Sequence, residues 1–128
     1  MTREGLYYTK DHEWVRLDAD GTAVMGITDH AQKALGDITF VDLPKIGKTV
    51  RARDPLAVVE SVKAASDVFA PVGGAVSAVN AALAKTPEKI NQSPYDEGWI
   101  CRLANVNRAD AERLLSASDY EKLIAAEA

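Results

Sequence analysis

The chain holds one cysteine, Cys101, so no intrachain disulfide is available and a disulfide-stapled secreted scaffold is ruled against. A reducing compartment is expected: the cytoplasm, or the mitochondrial matrix if the source is eukaryotic. The opening residues Met1–Tyr8 lack the apolar run of a secretory signal. No stretch approaches the roughly 18 apolar residues of a membrane span. Lys and Arg never gather into a cluster and the net charge is −4, which removes the basic footprint of a nucleic-acid binder. Histidine is scarce too. His12 and His30 are the only two, and neither stands at metal-ligand spacing with cysteine or paired carboxylates, so no metal site is expected. Gly73-Gly74 follows a proline and precedes a strand pattern, which makes it a turn and not a phosphate loop.

What is present is ordinary globular material. A length of 128 residues suits one compact domain with a core that needs no covalent staples. The first hundred residues read as short strands with turn punctuation. Glu13–Leu17 and Thr22–Ile27 flank Asp18-Ala19-Asp20-Gly21, a hairpin signal. Thr28 is placed to cap a short helix over Asp29–Leu35, which Gly36 would end in the left-handed conformation. Strands are expected over residues 37–43, 56–61, 66–69, 75–80 and 99–105, with Thr86–Gly98 as loop containing one helical turn. After Asn107 the pattern turns helical. Arg108–Leu115 has Asn107 as its cap, and Ser118-Asp119-Tyr120-Glu121 is a capping-box signature ahead of an apolar stripe of Tyr120, Leu123 and Ile124. A helical hairpin folded over one end of a β domain accounts for this better than a separate binding module.

Two segments echo one another. Asp37-Ile38-Thr39-Phe40 leads to Pro44-Lys45-Ile46-Gly47 and Val50, while Asp67-Val68-Phe69 leads to Pro71-Val72-Gly73-Gly74 and Val76. The repeat suggests two similar β units related by an approximate two-fold axis, with Gly47 and Gly74 in equivalent positive-φ turns. The segment between them, Val59–Ala65, would then stand as a hairpin at one end of the sandwich.

At the centre of that hairpin lies Glu60-Ser61-Val62-Lys63-Ala64-Ala65-Ser66-Asp67. A lysine at a tight turn projects its amine into water, as an enzyme that acylates a single lysine requires. Most turn lysines are merely surface lysines. Here Gly47 lies 16 residues before Lys63 and Gly74 lies 11 after it, both in the repeated Pro-x-x pattern. This arrangement resembles the lipoylation site of lipoyl domains. Biotinyl domains share that fold but usually flank their lysine with methionine, so Val62 and Ala64 favour lipoate. His12-Glu13-Trp14, Gly26–Gln32, Leu35-Gly36-Asp37, Val41–Pro44 and Ser93–Trp99 narrow the resemblance to the glycine cleavage H-protein family, over about residues 6–103. Generic lipoyl domains lack both the Glu-Trp entry hairpin and the C-terminal helices.

The resemblance implies a mainly-β fold, a lipoyl/biotinyl-type barrel-sandwich hybrid of two small sheets with a short internal helix and C-terminal helices. The whole of residues 1–128 would form one lipoyl-carrier domain, with a β core over about 6–105 and helices over about 107–127. It implies a non-catalytic shuttle with lipoic acid attached to Lys63. The implied partners are glycine decarboxylase (P protein), aminomethyltransferase (T protein), dihydrolipoyl dehydrogenase (L protein) and the lipoyl-attaching enzymes. It also implies a cleft whose carboxylates hold the ammonium of the aminomethyl cargo, with Glu13 and Asp67 at the matching positions; Asp11 departs from the serine often found there. Taken alone, either acid reads as solvated. The nearest rival is an H-like protein that relays lipoyl groups to 2-oxoacid dehydrogenases. A rival of another class is a catalytic domain using Cys101, although that residue alternates with Trp99 and Leu103 on one strand face, where a thiol is a good core filler.

Overall fold

A computed structural model describes residues 2–127 as nine strands in two antiparallel sheets, with short helices between and after them. The strands are β1 (Tyr7–Tyr8), β2 (Glu13–Leu17), β3 (Ala23–Ile27), β4 (Ile38–Asp42), β5 (Thr49–Val50), β6 (Pro55–Ser61), β7 (Ala65–Phe69), β8 (Gly74–Val79) and β9 (Cys101–Ala104). One sheet has six strands in the order β1-β2-β3-β9-β8-β5, and the other has three in the order β4-β6-β7. The mainly-β expectation holds, but the sheets are unequal and neither closes into a barrel. The helices are α1 (Asp29–Leu35), α2 (Lys89–Gln92), α3 (Arg108–Glu112) and α4 (Ala117–Glu127), with a 3₁₀ turn over Ala81–Ala84 that the sequence pattern did not signal.

Two apolar layers explain why the six-stranded sheet is buried on both faces. Val15, Met25 and Leu103 point toward Val59 and Val68 of the smaller sheet, forming the main core. Tyr8, Trp14 and Val24 face the other way and are covered by Ala117 and Tyr120 of α4. Tyr8 and Tyr120 stack with centroids 4.7 Å apart and planes 8° from parallel, a geometry that adds to simple area burial. The indole of Trp14 donates to the Pro94 carbonyl at 3.0 Å, so its one polar atom is satisfied inside the apolar layer.

The helix signals are met with two refinements. Thr28 Oγ1 accepts from the Ala31 N–H, as an N-cap should. Gly36 ends α1 at positive φ (81°), yet its ψ of −156° lies in a glycine-only extended region, not in the left-handed helical one. In the C-terminal pair, Asn107 caps α3 by accepting from the Ala109 N–H. The second cap is Ser116, whose hydroxyl accepts from the Asp119 N–H, so α4 starts ahead of the Ser118 signature. The reason is tertiary: Leu115 exchanges two backbone hydrogen bonds with Tyr8, at 2.8 and 2.9 Å, and the chain is free to coil from the next residue.

The internal echo is realised in part. β5 and β8, the strands that follow the two Pro-x-x-Gly signals, pair antiparallel with Thr49 opposite Ala75 and Val50 opposite Gly74. Their glycines are not equivalent. Gly47 has φ of 96° and open space where a Cβ would stand, whereas Gly74 is not among the positive-φ glycines. A Cβ on Gly74 would lie 2.7 Å from the Ala104 carbonyl oxygen, inside the β8–β9 pairing. Gly74→Val is therefore expected to destabilise by overpacking, by about 1–3 kcal/mol. Gly47→Val should suffer only from its backbone angle, and Gly47→Asn should be milder still. Urea unfolding of the three variants checks this; equal midpoints for Gly74→Val and wild type would show that β9 yields freely.

Candidate functional site

The hairpin of β6 and β7 carries Lys63 at its tip. Pairing runs from Pro55 opposite Phe69 to Glu60 opposite Ala65, leaving Ser61-Val62-Lys63-Ala64 as the turn. Ser61 closes it. Its N–H donates to the Ala64 carbonyl at 2.8 Å, and its hydroxyl accepts from the N–H groups of both Lys63 and Ala64 at 3.2 Å. The same hydroxyl donates to the Ala64 carbonyl, so the turn is held without help from the lysine side chain. Val62, Lys63 and Ala64 are exposed, and among the described residues no carboxylate forms an ion pair with Lys63.

The hairpin is braced from behind. The Val62 N–H donates to the Asp37 carbonyl at 3.1 Å, where α1 passes into β4. Asn91 of α2 locks that passage: its Oδ1 accepts from the Ile38 N–H, and its Nδ2 donates to Gln32 Oε1 and the Gly36 carbonyl, each at 2.9 Å. The stem of Lys63 lies beside Gly36, with Cε 3.6 Å from where a Cβ would be. Asn91 carries no sequence signal for this work, because its partners lie more than fifty residues away in the chain, whereas Ser61 bonds only within its own turn.

Glu13 and Asp67 sit in different surroundings. Glu13 opens β2 and is 3% exposed at the edge of a cleft of about 640 Å³, lined also by Asp11, Arg53, Phe69, Pro71 and Arg113. The Thr9 hydroxyl donates to its Oε1 at 2.5 Å and the Phe69 N–H to its Oε2 at 3.3 Å. Asp67 is exposed and does not line that cleft; it borders a shallower hollow beside Lys45 and Lys48. It nonetheless shares a strand face with Phe69, two residues on. β7 thus leads from the lysine turn past Asp67 to Glu13, over about 13 Å at 3.3 Å per residue from Ala65 to Phe69.

Burial pushes the Glu13 carboxyl up to about 7, although Thr9 and Phe69 pull it down; Asp11 adds to the rise. A carboxyl raised in the folded state stabilises fully below its unfolded value of 4.5, and that contribution is lost as pH rises through about 7. Glu13→Gln keeps an acceptor for Phe69 and a polar partner for Thr9 without a charge. Its stability relative to wild type should therefore improve by about 2–3 kcal/mol between pH 4 and pH 8, at 1.36 kcal/mol per pK unit. Urea unfolding at the two pH values measures this, and a pH-independent difference would mean that Glu13 titrates normally.

Cys101 is fully buried, and that burial pushes its thiol up to about 12, the setting of a core filler and not of an activated thiolate. Among the described residues, no helix is long and apolar enough to cross a membrane.

Two packed antiparallel sheets thus carry a braced, exposed lysine turn at the tip of β6 and β7, with a buried acid in a cleft toward the other end of β7. The chain belongs to the glycine cleavage H-protein family, whose model matches residues 6–127. It is 57% identical over 119 residues to the glycine cleavage system H protein of Opitutus terrae, covering 93% of this chain and 94% of that one. It is 55% identical to the H protein of Salmonella arizonae, covering 93% and 92%. The crystal structure of a glycine cleavage system H protein from Mycobacterium marinum superposes with a TM-score of 0.87 at 37% identity, covering 97% of this chain and 99% of that one. Family membership makes this chain a lipoyl-carrier component of the glycine cleavage system.

Proposed function

We propose that residues 1–128 form one carrier domain whose Lys63 Nζ bears lipoic acid in amide linkage. The observation that supports this most is the unpaired, exposed Lys63 on a turn whose hydrogen bonds all come from Ser61 and the backbone. When bound, lipoate supplies a dithiolane that takes the aminomethyl group of glycine at glycine decarboxylase and yields it to the aminomethyltransferase, with dihydrolipoyl dehydrogenase restoring the oxidised form. The protein's own part is presentation and protection. The hairpin holds the amine where the lipoyl-attaching enzymes reach it, and tethering raises the local concentration of cargo at each partner. In this reading Glu13, buried at a cleft toward the far end of β7, meets the cargo's ammonium there and keeps water from it. An acid poised near neutrality ionises when a cation arrives and needs no paid-up charge in the empty cleft. Asp67, exposed along the way, guides the cation by weaker, screened attraction. With bacterial relatives, the cytoplasm is the proposed location.

Loading distinguishes this reading from lipoyl relay. Lipoylated protein incubated with glycine labelled at the methylene carbon and the decarboxylase should retain label, and unlipoylated protein should not. Transfer of the lipoyl group to a 2-oxoacid dehydrogenase without any label uptake would favour the relay.

A further inference from the structure

We propose that His12, His30 and Glu127 form a binding site for one divalent cation of the zinc class, which clips the C-terminal helix to the body of the fold. The three come from separate segments: the turn ahead of β2, helix α1 and the last turn of α4. Their ligand atoms all lie within 4.8 Å of one another. Glu127 Oε1 is 3.3 Å from His12 Nε2 and 3.8 Å from His30 Nε2. Tetrahedral zinc with bonds of 2.0–2.1 Å separates its ligand atoms by about 3.3 Å, so two of the three edges are already close to size. Two imidazoles and one carboxylate suit zinc and its d-block neighbours, whereas magnesium and calcium favour all-oxygen sets.

The support behind His12 is what a metal ligand requires. Its Nδ1 lies 2.7 Å from the Tyr120 hydroxyl, which lies 2.7 Å from Thr28 Oγ1. With the proton on Nδ1, His12 donates to Tyr120, Tyr120 donates to Thr28, and the lone pair of Nε2 is left facing the Glu127 carboxylate. With the proton on Nε2 instead, His12 donates to Glu127; a bound cation selects the first tautomer, and the outer hydrogen bond to Tyr120 then fixes the ring that binds it. His12 also sits at φ of 70°, an unusual angle for a residue with a side chain, held there by its carbonyl accepting from the Thr28 N–H at 3.0 Å. The His12 and His30 rings approach with centroids 4.6 Å apart and a tilt of 37°. Chain spacing hid the cluster because its members meet only through the fold. The three ligands join the turn ahead of β2, α1 and the last turn of α4, so the expected role is to pin α4 in place.

The test is calorimetric titration of the full chain, unlipoylated so that no dithiol competes, with zinc chloride and with magnesium chloride as control. Wild type should take up one zinc per chain, ignore magnesium, and gain about 5 °C or more in thermal midpoint at a hundred-fold excess over Kd. His30→Gln and Glu127→Gln alter half-exposed side chains and should leave the metal-free midpoint unchanged. Each should weaken zinc binding at least about ten-fold, since even outer-shell changes cost 10–100-fold. Absence of stoichiometric binding in wild type, or unaltered affinity in the two variants, would overturn the proposal.

Discussion

Lys63→Arg protein should leave a lipoylation reaction with no added mass and with its fold unchanged. The guanidinium keeps the positive charge but is never deprotonated under these conditions and offers no nucleophilic amine for acylation. The fold should be indifferent because the side chain is exposed and unpaired, while the turn is closed by Ser61 and backbone groups that the substitution leaves in place. The expected effect is complete: full modification of wild type against none in the variant, by intact mass after incubation with a lipoyl-attaching enzyme. Coincident thermal midpoints would show that attachment alone was lost. Lipoyl mass retained on the variant would move the site elsewhere.

The second large effect concerns cargo. Glu13→Gln should speed formaldehyde release from the loaded protein by roughly ten- to hundred-fold. The C–S bond breaks when the nitrogen lone pair is free to expel the thiolate, and a carboxylate beside the ammonium keeps that nitrogen protonated. A charge-assisted hydrogen bond is worth about 1.5–3 kcal/mol, and each 1.4 kcal/mol is a factor of ten. Glu13 is 3% exposed, so the full range applies to it. Asp67 is exposed, and exposed pairs are worth at most about 1 kcal/mol, so Asp67→Asn should change the rate by no more than about five-fold. Equal release from wild type and both variants would remove these carboxylates from the mechanism while leaving Lys63 as carrier.

Local chemistry was the legible part of this fold. The Asp-Gly hairpin, the Thr28 cap, the Asn107 cap and most strand positions follow from residues a few positions apart, and the structure has them. What escaped depends on distant partners. β1 and β5 are two-residue strands with no periodicity to detect; they are defined by their pairing with the longer strands β2 and β8. The start of α4 moved because Leu115 pairs with Tyr8. Gly74 looked like the twin of Gly47, but it serves a close approach to β9 and not a positive-φ turn. At the candidate site, the exposed turn that carries Lys63 was readable from the sequence, whereas the split between buried Glu13 and exposed Asp67 was not. Both are acids near a strand end, and only the covering of β2 by neighbouring segments distinguishes them. Asn91 shows the same limit: an ordinary polar residue in sequence, it ties α1, α2 and β4 together behind the hairpin.

The central claim, that lipoate is carried on Lys63, is tested most directly by tryptic peptide mass mapping of the protein from its native source. Trypsin does not cut after an acylated lysine. With Lys63 lipoylated, Asp54 to Lys85 should appear as one peptide carrying the lipoyl mass, with fragmentation assigning it to position 63. Unmodified peptides ending and beginning at Lys63 and Ala64, with lipoyl mass on another lysine, would contradict the account.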